Sequence, residues 1–559
     1  MKKLFVVLFV FIGAAACGQA AEPAPKQQPV FVYLYARITD HVNLDLSEDR
    51  LRRLLPMIER YRKEHPAAHV SATVLFSGAI SEALAQRNGK THIVDFVQDY
   101  IHRGVVEPGY DSTDEPTYKH RPASDFSKTK TAEERWALRV STAERMLTES
   151  RDPLTGAPRS GEEGGLKRMQ AVFGPAACIT GTALYAPDPA LGVMPELGPD
   201  SETVHVLRRL DPSALLFGIS DTDPLHSPIY RQWSASFSKE MSPDPETSPE
   251  LYWQDNRLRS SESSEADLRL FHASDGPYAL QKVLSKLDRS KIRILHVELA
   301  GQRNYIQPAF TDSPLKFAYE HPAAPTLPAA ARRPADDVDA AYALEEGALK
   351  SLAADFFPAN AGSRFVSSAA LLKMAGPSTG YRVTLEGLRA ALKAWGAVPA
   401  PPMYFHVDGR YLSLADMFQA MADVLADFDR HGKFPESVQV VPVFGPTETT
   451  RTARQSSGEV SMASVAHACT GLAARLHDDA WAPVPKNSIP FHVTVDGTEM
   501  NSAQFLRLMA DAIAAPSPES KLPVKKTDMF WGPDAIYYRS RSVRDEGASW
   551  TFKPALLAQ

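Results

Sequence analysis

Residues 105–122, VVEPGYDSTDEPTYKHRP, set Glu107, Asp111, Asp114, Glu115 and His120 around a glycine turn. Carboxylates and an imidazole at this density either face solvent as a polar loop or rim a site that holds a metal ion or a sugar. Thr39-Asp40-His41 ends an upstream apolar run and adds a second carboxylate and imidazole. Further on, ILHVELAGQRNY carries His296 and Glu298 two positions apart, which on a strand puts both on one face. There they either serve proton transfer and substrate contact or belong to the core. LYWQDNRLRSSE places Trp253 near Asp255 in a polar stretch: an aromatic platform beside a carboxylate for sugar binding, or an edge-packed ring. No Gly-x-Ser-x-Gly elbow and no phosphate-binding glycine loop after a strand occurs, so no nucleotide cofactor is expected.

The elements that must position these groups read as an α/β chain. VFVYLYARI (30–38), VSATVLFSG (70–78), VVEPG, ACITGTALY (177–185), ALLFGIS (214–220), DLRLFHA (267–273) and IRILHVELA (292–300) are strand-like runs. Between them, residues 47–64 carry Leu51, Leu54, Leu55, Ile58 and Tyr61 on one helical face, with Ser47 as the cap. HIVDFVQDYIHRG is a helix that Gly104 closes. Strands alternating with helices predict a parallel sheet with crossover helices, here a distorted (β/α) barrel of seven or eight strands over 30–376. The Pro- and Ala-rich stretch 321–337 is a linker or surface loop within it.

The succession of strand ends resembles the NodB-type polysaccharide deacetylases. Their three motifs are TFDDG, ATFFLxG and EIGNHTxxHP; Ile38-Thr39-Asp40-His41, Ala72–Gly78 and Glu107–Pro116 stand at those places. The resemblance implies a deacetylase-like barrel, with Asp40 at the catalytic base and His41, Asp111 and Glu115 at the metal positions. Apart from the resemblance, Tyr118, Arg121, Trp253 and Asp255 are candidates for substrate binding, and His296 and Glu298 for catalysis. Each metal position has changed type, leaving one imidazole and two carboxylates in place of two imidazoles and one carboxylate. A divalent cation (Zn, Mn or Fe) held by these three with an open position would activate water for ester or amide hydrolysis, and Asp40 would take the proton. A second expectation is a glycoside hydrolase using two carboxylates, such as Asp111 and Glu298. A third is a non-catalytic glycan-binding protein on a degenerate barrel.

The N-terminus gives an address. Lys2 and Lys3 precede LFVVLFVFIG and then AAAC, the pattern of a secretory signal peptide over 1–20. GAAAC is similar to a bacterial lipobox with Cys17 as the acylated residue. AEPAPKQQP (21–29) reads as a tether. The expected location is therefore periplasmic or on the cell surface, freely secreted or held to the membrane through the lipid alone. Net charge is −6 with both signs interspersed, which excludes nucleic acid as a partner. Cys178 and Cys469 lie far apart and read as buried free thiols.

Residues 377–516 hold an internal repeat. HVDGRYLSLADMFQAMADVLADF (406–428) aligns with VTVDGTEMNSAQFLRLMADAI (493–513), and GLRAAL (387–392) with GLAARL (471–476). Each unit reads as helix, strand, Asp-Gly turn, strand, helix. Val493, Val495, Gly497, Phe505, Leu506 and Met509 give the units a likeness to pseudomurein-binding repeats, which implies a cell-wall glycan as partner. Residues 517–559 are left as a C-terminal tail.

Overall fold

The computed structural model describes residues 27–40, 43–111, 149–151, 158–180, 215–217, 251–254, 257–260, 271–287, 289–290, 292–307, 329–399, 401–402, 404–446, 455–482, 484–515, 517–529 and 550–555, with Glu134 and Ala137. Its first part is a curled, largely parallel half-barrel sheet. The strands are β1 (Val30–Ile38), β2 (Ala72–Phe76), β3 (Val106–Asp111), β4 (Cys178–Thr180), β5 (Leu215–Phe217), β6 (Leu251–Gln254), β7 (Arg257–Ser260), β8 (Phe271–His272), β9 (Arg293–Glu298) and β10 (Arg364–Val366). A last strand from the far end of the chain, Lys553–Pro554, closes the order β8-β9-β1-β2-β3-β4-β5-β7-β6-(553–554), with β10 on the flank of β1. The neighbours from β8 through β7 run parallel. The stretch expected to be a polar loop around Trp253 is instead the antiparallel hairpin β6–β7.

β1 explains why the sheet needs cover on both sides. Its nine residues are nearly all buried, so neither face can meet water. Val30, Val32, Leu34, Ala36 and Ile38 pack against the helix layer: α1 (Leu44–Glu64), α2 (Gly78–Thr91), α3 (Ile93–His102), α4 (Gly165–Phe173), α5 (Gly276–Lys286) and α6 (Ala335–Lys350). Phe31, Tyr33 and Tyr35 point to the concave side, where α7 (Ser368–Ala375) covers them with Leu371, Met374 and Ala375. In α1 the predicted face, Leu51, Leu54, Leu55, Ile58 and Tyr61, is the buried one. The helix starts earlier than its sequence suggests: Asn43 is the N-cap, and Ser47 lies within the first turns, donating to the Asp40 carbonyl at 2.8 Å. Gly104 takes φ +63° just after α3, as predicted.

The C-terminal part contains two segments with one element order. The first runs β11 (Arg382–Thr384), α8 (Leu385–Trp395), the hairpin β12 (Tyr404–Val407) and β13 (Arg410–Ser413), α9 (Leu414–His431) and β14 (Ser437–Gln439). The second runs β15 (Glu459–Ser461), α10 (Met462–Leu476), the hairpin β16 (His492–Val495) and β17 (Thr498–Asn501), α11 (Ser502–Ala514) and β18 (Lys521–Pro523), with one short extra strand pair, Trp481–Ala482 and Val484–Pro485, inserted after α10. In each, the first and last strands pair antiparallel. Both hairpins turn through Asp-Gly with positive φ at both residues, Asp408 +50° and Gly409 +74°, Asp496 +49° and Gly497 +76°, as a type I′ turn demands. All four helices begin on a side-chain cap: Thr384, Ser413, Ser461 and Asn501 each accept from a backbone N–H three residues on.

Residues 550–555 tie this part to the sheet. Trp550 is fully buried beside Phe418 of α9 and donates to the Met529 carbonyl. Lys553, on the strand that pairs with β6, reaches the buried Asp416 carboxylate at 2.7 Å. The described portion of the stretch read as a tail thus belongs to the packed fold.

Candidate functional site

Register puts one row of side chains from each central strand on the concave face. Tyr33 stands beside His296, Tyr35 beside Glu298 and Thr73, Arg37 beside Leu75, Thr73 beside Glu107, and Leu75 beside Gly109. At Gly109 the face is too narrow for a side chain: a Cβ there would lie 2.5 Å from Leu75 Cδ2 and 3.1 Å from the Cys178 carbonyl oxygen.

Toward the strand N-termini this face is a closed polar network. The Tyr33 hydroxyl lies 2.6 Å from Thr73 Oγ1 and 3.0 Å from Ser368 Oγ. Thr73 donates to Glu107 at 2.6 Å, and Ser368 N–H at the start of α7 donates to the same carboxylate at 2.8 Å. Burial pushes the Tyr33 phenol well above its ordinary range and pushes the Cys178 thiol up as well. Both stay neutral, and the network fixes α7 against the sheet.

Toward the strand C-termini the face carries charge. Arg37 of β1 reaches across β2 and donates from Nε to Asp111 of β3 at 2.8 Å; Asp111 is 1% exposed. Glu298 ends β9, partly exposed, one pair further round the sheet. Arg50 of α1, itself buried, links the two strand ends from behind: Nε donates to the Ala300 carbonyl at 2.7 Å and Nη2 to the Arg37 carbonyl. His296 is buried edge-on to Tyr33, and burial lowers it to about 3. Burial thus favours its neutral form.

The Asp40 carboxylate accepts from Asn43 N–H at 2.9 Å and from Asn43 Nδ2 at 3.0 Å, lies 3.4 Å from Gln302 Nε2, and is 3% exposed. It helps hold the entry to α1. Trp253 is 8% exposed in the apolar cluster with Phe31, Tyr33 and Tyr35, so it offers no open ring face to a sugar. His41, Glu115, Tyr118, Arg121, Asp255 and Cys17 lie outside the described residues. Of the proposed metal ligands only Asp111 is described, and the Arg37 guanidinium already occupies the flank of its carboxylate. Among the described residues no group of three His, Cys, Asp or Glu is arranged to hold a cation. Cys178 and Cys469 are free and buried. Among the described residues no helix is long and apolar enough to cross a membrane.

The residues that sequence reading missed are Arg37, Arg50 and Glu345. Arg37 continues the alternation of Phe31, Tyr33 and Tyr35, so the period-two pattern alone assigns it to the concave face. Arg50 and Glu345 sit on helices with ordinary charge spacing, and nothing local marks them as buried.

No family model matches the chain, and no curated protein matches it. Among solved structures, a 4-alpha-glucanotransferase from Thermococcus litoralis is similar over 63% of this chain at 14% identity with a TM-score of 0.29. The match spans 41% of that protein's length. A likeness of this size carries no argument about function.

Proposed function

We propose that this chain is a carbohydrate-active hydrolase working at the C-terminal rim of the concave face, with Asp111 and Glu298 as its two carboxylates. The observation that carries the reading is that register sets both on one face of parallel strands, Asp111 bonded to Arg37 and Glu298 at the end of β9. β3 and β9 are separated by β1 and β2, roughly 14 Å between backbones on a flat sheet. The reading requires the curl of the sheet to bring the two carboxyls to the separation of about 6.5–9.5 Å that leaves room for a water between acid and base. Glu298 donates a proton to the leaving glycosidic oxygen. Asp111 takes a proton from the water that attacks the anomeric carbon from the opposite side, and Arg37 holds it in place for that step. The barrel is read as a distorted (β/α) barrel of seven or eight strands. The two C-terminal segments are read as glycan-binding units, and the N-terminus as an export signal with a lipid anchor at Cys17.

Deacetylation is the second reading, favoured by β1, β2 and β3 lying side by side with their three motif-bearing ends at one edge. Its base, Asp40, is engaged with Asn43 as Asp111 is with Arg37, so the products decide between the two. Product masses from acetylated chitooligosaccharides and peptidoglycan fragments, with and without EDTA, separate the two. Chain cleavage that survives EDTA is the expected result; acetyl loss that EDTA abolishes would replace this reading with deacetylation.

A further inference from the structure

We infer that Glu345 of α6 is a positioning residue for Glu298, acting through the strained turn that ends β9; the inference rests on the hydrolase reading above. Three residues beyond β9 decide where Glu298 points, and Ala300 is the unusual one. Its φ of +49° lies in the left-handed region that a residue with a Cβ rarely adopts. Such a conformation persists only where its surroundings over-determine it.

Here both ends of the Ala300 peptide are clamped by buried charged side chains. Both Glu345 carboxylate oxygens lie 3.0 Å from Ala300 N, which donates to them. On the other side, Arg50 Nε donates to the Ala300 carbonyl at 2.7 Å. Asn304, 1% exposed, donates from Nδ2 to Glu345 at 2.7 Å and fixes the far end of the turn. The turn returns toward Glu298 itself: a Cβ placed on Gly301 would lie 3.7 Å from the Glu298 carboxylate. Glu345 is 1% exposed and faces Glu298 of β9, Arg50 of α1, Asn304 of the turn, and Tyr342 of its own helix, which meets Tyr305 and, through it, Asp49. Burial is the first cause that pushes Glu345 up to about 7, with the Glu298 charge adding to it and the Asn304 and Ala300 bonds opposing it. A costly buried carboxyl on a helix, spent on a strained backbone next to a candidate catalytic group, sets that group's position.

The test compares the full chain with Glu345→Gln, Glu345→Asp and the double variant Glu345→Gln/Ala300→Gly. Hydrogen exchange of the 299–305 peptide is read at neutral pH alongside turnover of the same acetylated chitooligosaccharides. In Glu345→Gln, exchange over 299–305 should rise about ten-fold while β1 stays protected. Turnover should fall about ten-fold or more through kcat, with KM unmoved. Adding Ala300→Gly should restore a large part of kcat, since glycine adopts positive φ without steric cost. Thermal unfolding adds a sign. A carboxyl raised to about 7 contributes fully below its ordinary value of 4.5 and loses that contribution as pH rises through 7. The Tm advantage of wild type over Glu345→Gln should therefore shrink across that window. Should Glu345→Gln fail to fold, Glu345→Asp, which keeps the carboxyl but shortens its reach, is held to the same exchange and kcat results. Unchanged exchange over 299–305, or unchanged kcat in an active enzyme, overturns the inference. A wild type that cleaves none of the glycans overturns the hydrolase reading instead, and exchange alone then decides the clamp.

Discussion

The sheet body and the two C-terminal segments draw their buried hydrogen-bond partners from different distances along the chain. In the C-terminal part the helix caps bond locally, Ser413 and Asp416 reciprocally and Asn501 with Gln504, three residues apart in each case, while Gln419 and Gln504 also reach partners 20 and 48 residues away. In the sheet body partners come from far along the chain. Arg37 meets Asp111 at a separation of 74 residues, Arg50 meets Ala300 at 250, and Tyr33 meets Ser368 at 335. Local pairs shape helices. Long-range pairs put unlike chemical groups on one surface, and that is where a site for chemistry can be built.

The junction between the regions offers the sharpest break of this contrast. Lys553 and Asp416 form a buried pair 137 residues apart, joining the strand beside β6 to α9. Lys553→Met should cost about 3–5 kcal/mol in urea unfolding, because it leaves a buried carboxylate without its cation. The double change Lys553→Met/Asp416→Asn should cost less than the single one. A loss near zero would mean that the pair is not buried in solution and that the two regions are independent.

Next in size is Gly109→Ala, which should cost about 1–3 kcal/mol by overpacking the concave face against Leu75 and the Cys178 carbonyl. Denaturant midpoints check this, and a neutral result would show the face to be more open than its contacts imply. Smallest is Ser413→Ala, about 1 kcal/mol from the loss of one cap. It should leave exchange in β1 and β9 unaffected if the capping bonds act locally.

Much of the architecture was legible in the residues themselves. The apolar runs of β1, β2, β3 and β9 mark buried parallel strands, and the Asp-Gly pairs at 408 and 496 mark their hairpins because few other residue pairs accept positive φ twice in succession. The site was legible only in part. Asp111 and Glu298 declare themselves as carboxylates at strand ends. Asp40 does so equally, yet its side chain meets Asn43 in the next turn and Gln302 from far along the chain, which no strand pattern reveals. His296 has the spacing of a site residue, but its ring is buried edge-on to Tyr33 of the neighbouring strand, a pairing set by sheet order. Glu345 sits in an ordinary charged helix and acquires its role only through the turn it meets across the fold.

The most direct measurement is the rate of glycan cleavage by Asp111→Asn and Glu298→Gln, each verified as folded by circular dichroism and compared with wild type on one cleavable oligosaccharide. Both variants should lose about a hundred-fold or more in kcat, with EDTA making no difference to the wild type. Wild-type rates in both variants would contradict the placement of catalysis on this face and move the search to another part of the molecule.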